Sequence, residues 1–464
     1  MISLALILGL GLRLISLNQS LWLDEATSAL TTKMSLRYFF FQFITGDFHP
    51  PLYYLTLRPW STLFGSSEIA LRSLSVLFGT ATIYLVYLIG RKMFNEEVGI
   101  ITALLLATSS LHVYYSQEAR MYSMSAFLVC LAIYLFLKIS KAKSSPKDWI
   151  IFSLIIGLIG LTDYLSLLIL PVFWIFAILT KQKSQWWKKF SISQFVSVAL
   201  LLPWLPTFVK QLTSGINVTN NSPAWTSVLG ILSIKDILLI PVKFAIGRIS
   251  FDNKILYALI IGFIFLIFAA LISKSLNNRK KAKLLFLWLI VPLGSALVIS
   301  LKLPILNYFR FLFVLPSLYL IISFGITNYS KKLKVMFIFS VILLNLGSSY
   351  LYLTNQKFQR EDWRGLAISL ENSQAVALFP SSSQHEALEY YHAGSKIINI
   401  NQLNKGYKEI WLIRYVPEIA DPSDSTRQKV ENLGYQKTGE LNFNAISVWR
   451  YNMSALYAAN KLSL

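Results

Sequence analysis

The chain has 464 residues, 55% of them hydrophobic and only 14% charged, with a mean hydropathy of +0.55. Soluble domains carry about a quarter charged residues, so this composition excludes an ordinary soluble protein and predicts a polytopic α-helical membrane protein. The formal charge of +21 does not signal nucleic acid, because the Lys and Arg residues cluster in short loops between apolar runs, as the positive-inside rule requires.

Residues 2–17 form the first expected span. It lacks a basic leader and a small-residue cleavage site, so it reads as retained and not as a cleaved signal peptide. A long outer loop follows, residues 18–68, in which the amphipathic stretch Leu52 to Phe64 is expected to lie along the interface. Further spans are expected near 69–90, 98–115, 121–138, 149–162, 164–180 and 191–207. A second long outer loop, 208–253, holds another interfacial stretch, Ile234 to Ile246. The last spans are expected near 254–273, 284–301, 309–329 and 335–353, which makes about eleven by the twenty-residue criterion. Basic clusters at Arg91-Lys92, Lys138 to Lys147, Lys181 to Lys189, Lys274 to Lys283 and Lys331 to Lys334 assign those loops to the cytoplasm. Successive cytoplasmic loops need an even number of spans between them. The N-terminus is then inside and the C-terminus outside a plasma (inner) membrane.

Charged residues return from Thr354, and apolar runs shorten to strand length. Strands are expected at Ala375 to Phe379, Lys396 to Ile400, Glu409 to Ile413 and Ala445 to Trp449, and helices at Arg364 to Glu371 and Gln384 to Tyr391. The chain thus divides into a transmembrane part, 1–353, and a small extracytoplasmic α/β domain, 354–464.

This topology gathers Asp24, Glu25, His49, Gln117, Glu118, Arg120, Asp163, Tyr164, Lys302 and Arg310 at one face of the membrane. Ionisable groups at such depths are commonly functional or paired. Asp24-Glu25 is the strongest candidate for chemistry, since a carboxylate can accept the proton of an attacking hydroxyl or amine. The same residues would also suit the start of a helix. In His49-Pro50-Pro51-Leu52-Tyr53-Tyr54 the double proline stiffens a helix entry and fixes His49 and the two tyrosines. Glu118 and Arg120, two apart, cannot share a helix face. Arg310 offers a planar fork suited to phosphate. Cys130 is the single cysteine, so no disulfide forms within one chain. His112, His385 and His392 make no zinc spacing, and no P-loop or dinucleotide fingerprint is present. The triplets beginning at Asn217 and Asn220 match the glycosylation acceptor pattern, which is frequent by chance.

In combination these residues resemble a known family. The order is Trp22-Leu23-Asp24-Glu25-Ala26, then the His-Pro-Pro-Leu-Tyr-Tyr motif, then Leu71-Arg72-Ser73-Leu74-Ser75 and Tyr87-Leu88-Ile89-Gly90-Arg91, then Tyr115-Ser116-Gln117-Glu118-Ala119-Arg120-Met121-Tyr122. It is similar to bacterial polyprenyl-phosphate-dependent glycosyltransferases related to protein O-mannosyltransferases and aminoarabinose transferases, a branch of the GT-C fold (glycosyltransferase family 39). The resemblance is strongest over residues 1 to about 125, looser to 353, and reappears in Glu361-Asp362-Trp363-Arg364. It implies Asp24 as catalytic base with Glu25 beside it. It implies His49, where many relatives have Lys, as a contact to the lipid phosphate, and brings Arg120 into the same cavity; Arg310 by its fork, with Arg58 and Lys302 as helpers, is expected to bind the same phosphate. Tyr53, Tyr54, Gln117 and Glu118 would line the substrate cavity. Asp163-Tyr164 stands where many relatives have His-Tyr, so that pair is a cavity expectation from its outer position.

The implied function is transfer of a sugar, with inversion, from a polyprenyl-phosphate donor to a lipid, glycan or protein acceptor at the outer face. Phosphate is a good leaving group, so such a site needs one base and several cations, and no nucleotide cofactor. A divalent cation beside the acid pair stays open. A lipid-linked-sugar flippase would instead predict charges deep within spans and inverted repeats, and neither is seen. A non-catalytic membrane scaffold is the third reading.

Overall fold

The computed structural model describes residues 1–140, 144–221, 232–380, 384–392 and 394–453. Lys141 and Lys143 of the second basic loop, and Ser222 of the Asn220 triplet, lie outside the described residues, as do the side chains of 218–221.

The described residues contain seven helices long and apolar enough to cross a membrane, and an eighth if one bent pair is a single span. In chain order the helices are α1 (Ile2–Leu14), α2 (Leu23–Thr31), α3 (Leu52–Phe64), α4 (Glu68–Met93), α5 (Glu96–Thr108), α6 (Ser110–Ser116) and α7 (Tyr122–Ile139). Then come α8 (Pro146–Thr162), α9 (Leu170–Leu179), α10 (Ser184–Leu201), α11 (Leu205–Asn221) and α12 (Ile234–Ile246). The last membrane helices are α13 (Lys254–Leu276), α14 (Arg279–Ile299), α15 (Leu315–Thr327) and α16 (Lys331–Thr354). Every expected span has helical structure, but α1 and the 164–179 segment are short apolar helices, and the expected 98–115 span is bent by 63°. The short stretches Leu52–Phe64 and Ile234–Ile246 are helical, each with a proline inside.

The bend falls between α5 and α6 at Ser109, which has φ −56° and ψ 116°. A break frees carbonyls from the helical ladder, and in a bilayer these need partners. Arg13, fully buried at the end of α1, supplies them: its guanidinium donates to the carbonyls of Ala107 and Leu106 and contacts His112 Nδ1 at 2.7 Å. Close approach here depends on Gly79 of α4, where a Cβ would lie 2.2 Å from Ser116 Oγ. The outward faces of α1, α13 and α16 leave Leu4, Ile7, Ile255, Leu259, Phe263, Phe339 and Leu343 exposed, an apolar belt that suits lipid.

Beyond α16 the chain builds a five-stranded sheet of order β2-β1-β3-β5-β4. Its strands are β1 (Ala375–Phe379), β2 (Ile397–Asn399), β3 (Glu409–Arg414), β4 (Tyr435–Phe443) and β5 (Ile446–Met453). The first three are parallel, and β5 and β4 add antiparallel at one edge. Helices α17 (Trp363–Glu371), α18 (Glu386–Tyr390) and α19 (Ser425–Asn432) accompany it. Strand β4 and helix α19 were not expected. Tyr435 to Phe443 is mostly polar because β4 is an edge strand with little buried face.

Candidate active site

Helix α2 begins at Leu23, and Glu25 closes a capping arrangement by accepting from the Trp22 N–H at 3.4 Å. This places two adjacent carboxylates in opposite surroundings. Glu25 is completely buried, while the Asp24 side chain is 40% exposed. Glu25 accepts from Arg72 Nε at 2.8 Å and Nη2 at 2.6 Å, and from the Ala119 N–H at 2.8 Å. Burial alone would raise its pKa, but Arg72 and Arg360 outweigh burial and hold it below the usual carboxylate range. Arg72 also donates to the carbonyls of Leu17, Gln19 and Ser20. All five guanidinium N–H groups are therefore used, and the loop leading into α2 is fixed from beneath.

The turn between α6 and α7 is buried throughout. Gln117 donates to the carbonyls of Arg13 and Ile15, closing the end of α1. Glu118 faces Arg360 at 3.2 Å, and burial pushes its carboxyl up. Arg120 turns the other way. Its Nη2 lies 3.6 Å from Asp24 Oδ2 and 3.1 Å from His49 Nε2, and its Nη1 donates to Tyr54 Oη at 3.2 Å. The spacing of Glu118 and Arg120 thus sends the two charges to different partners, as expected.

His49 is held from its far side by Asp47, whose Oδ1 is 3.1 Å from Nδ1. Asp47 also accepts from Tyr54 Oη at 2.6 Å. Burial raises the Asp47 carboxyl, but His49 and Arg120 outweigh it and bring the group down to about 2. Asp24, Asp47, His49, Tyr54 and Arg120 form one contiguous polar cluster. Asp47 was missed in the sequence because a loop acid two residues before a histidine carries no signal of its own.

The other expected residues scatter around this cluster. Tyr53 hydroxyl meets Ser75 at 3.0 Å and ties α3 to α4. Asp163 caps the following turn, accepting from the Leu165 N–H and from Ser166 Oγ. Its carboxyl is pushed up by burial, against which Ser166, the Leu165 N–H, His49 and Arg310 act in that order. Tyr164 hydroxyl donates to Gln211 at 2.5 Å, and Gln211 in turn donates to the carbonyls of Ile44 and His49. Arg310 is half-buried, donating to the Pro304 carbonyl at 3.4 Å. Arg58 turns to the Met34 carbonyl, and Lys302 is exposed on the 300–307 loop. Among the described residues no hydrogen bond or ion pair joins either of these two to the cluster.

Two arginines absent from the expectation also enter the site region. Arg248 and Arg360 both stack on Tyr114, at 4.6 and 4.4 Å from the ring centroid. Arg248 stays exposed and donates to Tyr114 Oη. Gly247 presents it with φ +69°, a conformation favouring glycine; a Cβ there would meet Ser110 Oγ at 2.6 Å. Ile246 and Ile249, on either side, begin an apolar groove of about 410 Å³ that continues between α13 and α16 past Phe263, Phe268, Val341 and Leu351. Among the described residues no three His, Cys, Asp or Glu side chains are grouped to hold a metal ion.

Residues 48–209 match the sequence model of the dolichyl-phosphate-mannose-protein mannosyltransferase family. No curated protein matches the chain in sequence. Among solved structures, ArnT from Cupriavidus metallidurans bound to undecaprenyl phosphate is similar at a TM-score of 0.60 and 12% identity, covering 98% of this chain and 97% of its own. The oligosaccharyltransferase of Archaeoglobus fulgidus, in complex with zinc and sulfate, is similar at 0.56 and 13% identity, covering 98% and 73%. The same organism's AglB, with an inhibitory peptide and a dolichol-phosphate, is similar at 0.54 and 14% identity, covering 89% and 68%. The chain shares the GT-C fold of these structures.

Proposed function

We propose that this protein is an integral-membrane glycosyltransferase. It moves a sugar from a polyprenyl-phosphate donor to an acceptor at the outer face of the membrane, with inversion and with Asp24 as general base. The observation that carries this reading is the contrast among four neighbouring carboxylates. All four have cationic partners, but the side chains of Glu25 and Glu118 are 0% and 1% exposed and that of Asp47 15%, whereas Asp24, 3.6 Å from Arg120, is 40% exposed. A base must reach the proton it takes.

In the proposed step the acceptor hydroxyl attacks the anomeric carbon and gives its proton to Asp24. The bond from that carbon to the phosphate oxygen breaks, and its electron pair leaves on the phosphate. Arg120 and His49 of the Asp24 cluster meet that growing negative charge, with Arg310 and Arg248 as further donors to the phosphate. Arg58 and Lys302 act as helpers at the donor phosphate. The groove beginning at Ile246 and Ile249 suits the isoprenoid chain, and ArnT and AglB, whose fold this chain shares, were solved with undecaprenyl phosphate and dolichol-phosphate. Glu25 serves by fixing α2, and the sheet unit lies outside with Asp24.

The test is Asp24→Asn in a purified assay with a sugar-charged polyprenyl phosphate. The rate should fall by about 10²- to 10⁴-fold, the usual worth of a general base, with donor binding unchanged. Full activity in Asp24→Asn would overturn the assignment.

A further inference from the structure

Arg360 belongs to the segment between α16 and α17, yet its side chain runs inward from the sheet unit and is buried among the membrane helices. Its Nη1 donates to Glu118 Oε2 at 3.2 Å and to Tyr114 Oη at 3.1 Å, its Nη2 to the Gln117 carbonyl at 3.2 Å, and its Nε lies 3.6 Å from Glu25 Oε2. It therefore bridges two buried carboxylates, one on α2 and one on the α6–α7 turn. Arg72 reaches Glu25 from beneath, but Glu118 has Arg360 as its ion-pair partner, and Glu118 Oε1 is buried without a hydrogen bond.

The backbone around Arg360 is fixed from outside. Asn444, in the turn joining β4 and β5, donates to the Arg360 carbonyl at 2.8 Å and accepts from the Asp362 N–H at 3.2 Å. The Arg360 N–H donates to Gln19 Oε1, the Arg364 N–H to Ser20 Oγ, and the Leu21 N–H to Tyr391 Oη. The loop that leads into α2 is thus clasped by the sheet unit above and by Arg72 below.

We propose that Arg360 is a positioning residue for Asp24: by bridging Glu25 and Glu118 it sets the seat of α2, and through it the outer sheet unit controls where the base stands. This rests on the reading of Asp24 as base. A reacting group misplaced by about 1 Å can lose on the order of a hundredfold in rate. Lysine keeps the charge but is a single point that cannot reproduce the fork.

The experiment measures kcat, donor KM and thermal midpoint for Arg360→Lys, Arg360→Met with Glu118→Gln, Asp24→Asn, and Arg360→Lys in the Asp24→Asn background. Arg360→Lys, assayed well below its midpoint, should lose about ten- to a hundredfold in kcat with donor KM held within about threefold. The Arg360→Met, Glu118→Gln pair removes both charges, so its midpoint should recover towards wild type while kcat stays low. In the Asp24→Asn background Arg360→Lys should cost little more, because the residue it positions is already disabled. Wild-type kcat in Arg360→Lys, recovery of kcat in the charge-free pair, or a full multiplicative loss on top of Asp24→Asn would each overturn the proposal while leaving the base intact. An active Asp24→Asn would instead remove the base assignment and this proposal with it.

Discussion

Glu25 and Asp24 are adjacent carboxylates, and the structure predicts opposite failures for them. Glu25→Gln keeps the size and one acceptor oxygen. It removes the negative charge that Arg72 meets at 2.6 and 2.8 Å and turns an NH2 group towards a guanidinium. Arg72 is 1% exposed, so no water takes over. Breaking a buried ion pair by removing one partner costs about 3–5 kcal/mol. At the few degrees per kcal/mol typical of larger domains, the thermal midpoint should fall by about 10 °C or more. Asp24→Asn alters a partly exposed group and should stay within about 0.5 kcal/mol of wild type in stability. The assay is thermal unfolding of detergent-purified protein, with transferase rates read below both midpoints. Folded Glu25→Gln should retain more activity than Asp24→Asn. Equal midpoints for Glu25→Gln and wild type would refute the reasoning, since they would mean that the buried pair carries no net stability. A dead Glu25→Gln beside an active Asp24→Asn would exchange the two roles.

Arg310→Ala should weaken donor use by about ten- to a hundredfold, the worth of one charge-assisted hydrogen bond to phosphate, and Arg310→Lys should recover only part; unchanged kinetics would take Arg310 out of the site. Asp47, brought down to about 2 from an ordinary 3.8, contributes stability above its unfolded value that is lost as pH falls from about 4 through about 2. The midpoint difference between wild type and Asp47→Asn should shrink across that window, and a constant difference would show that the folded carboxyl is not depressed. Cysteines placed in a Cys130-free background at exposed Asn278 and Asn401 should label only from inside and only from outside, respectively. Labelling of Asn278→Cys from outside would invert the topology; Ser275 is unsuitable for this purpose because it is buried against the Ile321 carbonyl.

Much of the membrane part was legible because a bilayer punishes misplaced polarity. Asp24, His49 and Arg120 stood out as ionisable groups at the ends of apolar runs, and the structure brings them together. The basic loops constrained the number of spans without revealing where a span breaks. The bend at Ser109 depends on Arg13 from another helix, and no periodicity in 98–115 records that. Arg248 was hidden in a long outer loop whose polar residues look alike in sequence. Its role comes from the left-handed turn at Gly247 and from the ring of Tyr114, 134 residues away. Arg360 was hidden for a different reason. It lies where the composition turns soluble, and an arginine in a soluble segment raises no question until the fold carries it inside. Asp47 and β4 were missed because ordinary loop acids and exposed edge strands carry little pattern.

The clasp around the first outer loop also bears on how the protein is made. Gln19 and Ser20 leave the ribosome hundreds of residues before Arg360 and Arg364, which complete their hydrogen bonds. Through most of synthesis the segment that carries the acid pair therefore waits in the membrane with Glu118 unpaired and α2 secured from one side only. Contacts this distant in sequence close late, after the intervening spans have been inserted. The newborn chain would then complete the surroundings of Asp24 only when its last quarter has been made, so the tail is a late-arriving part of the structure that seats the acid pair.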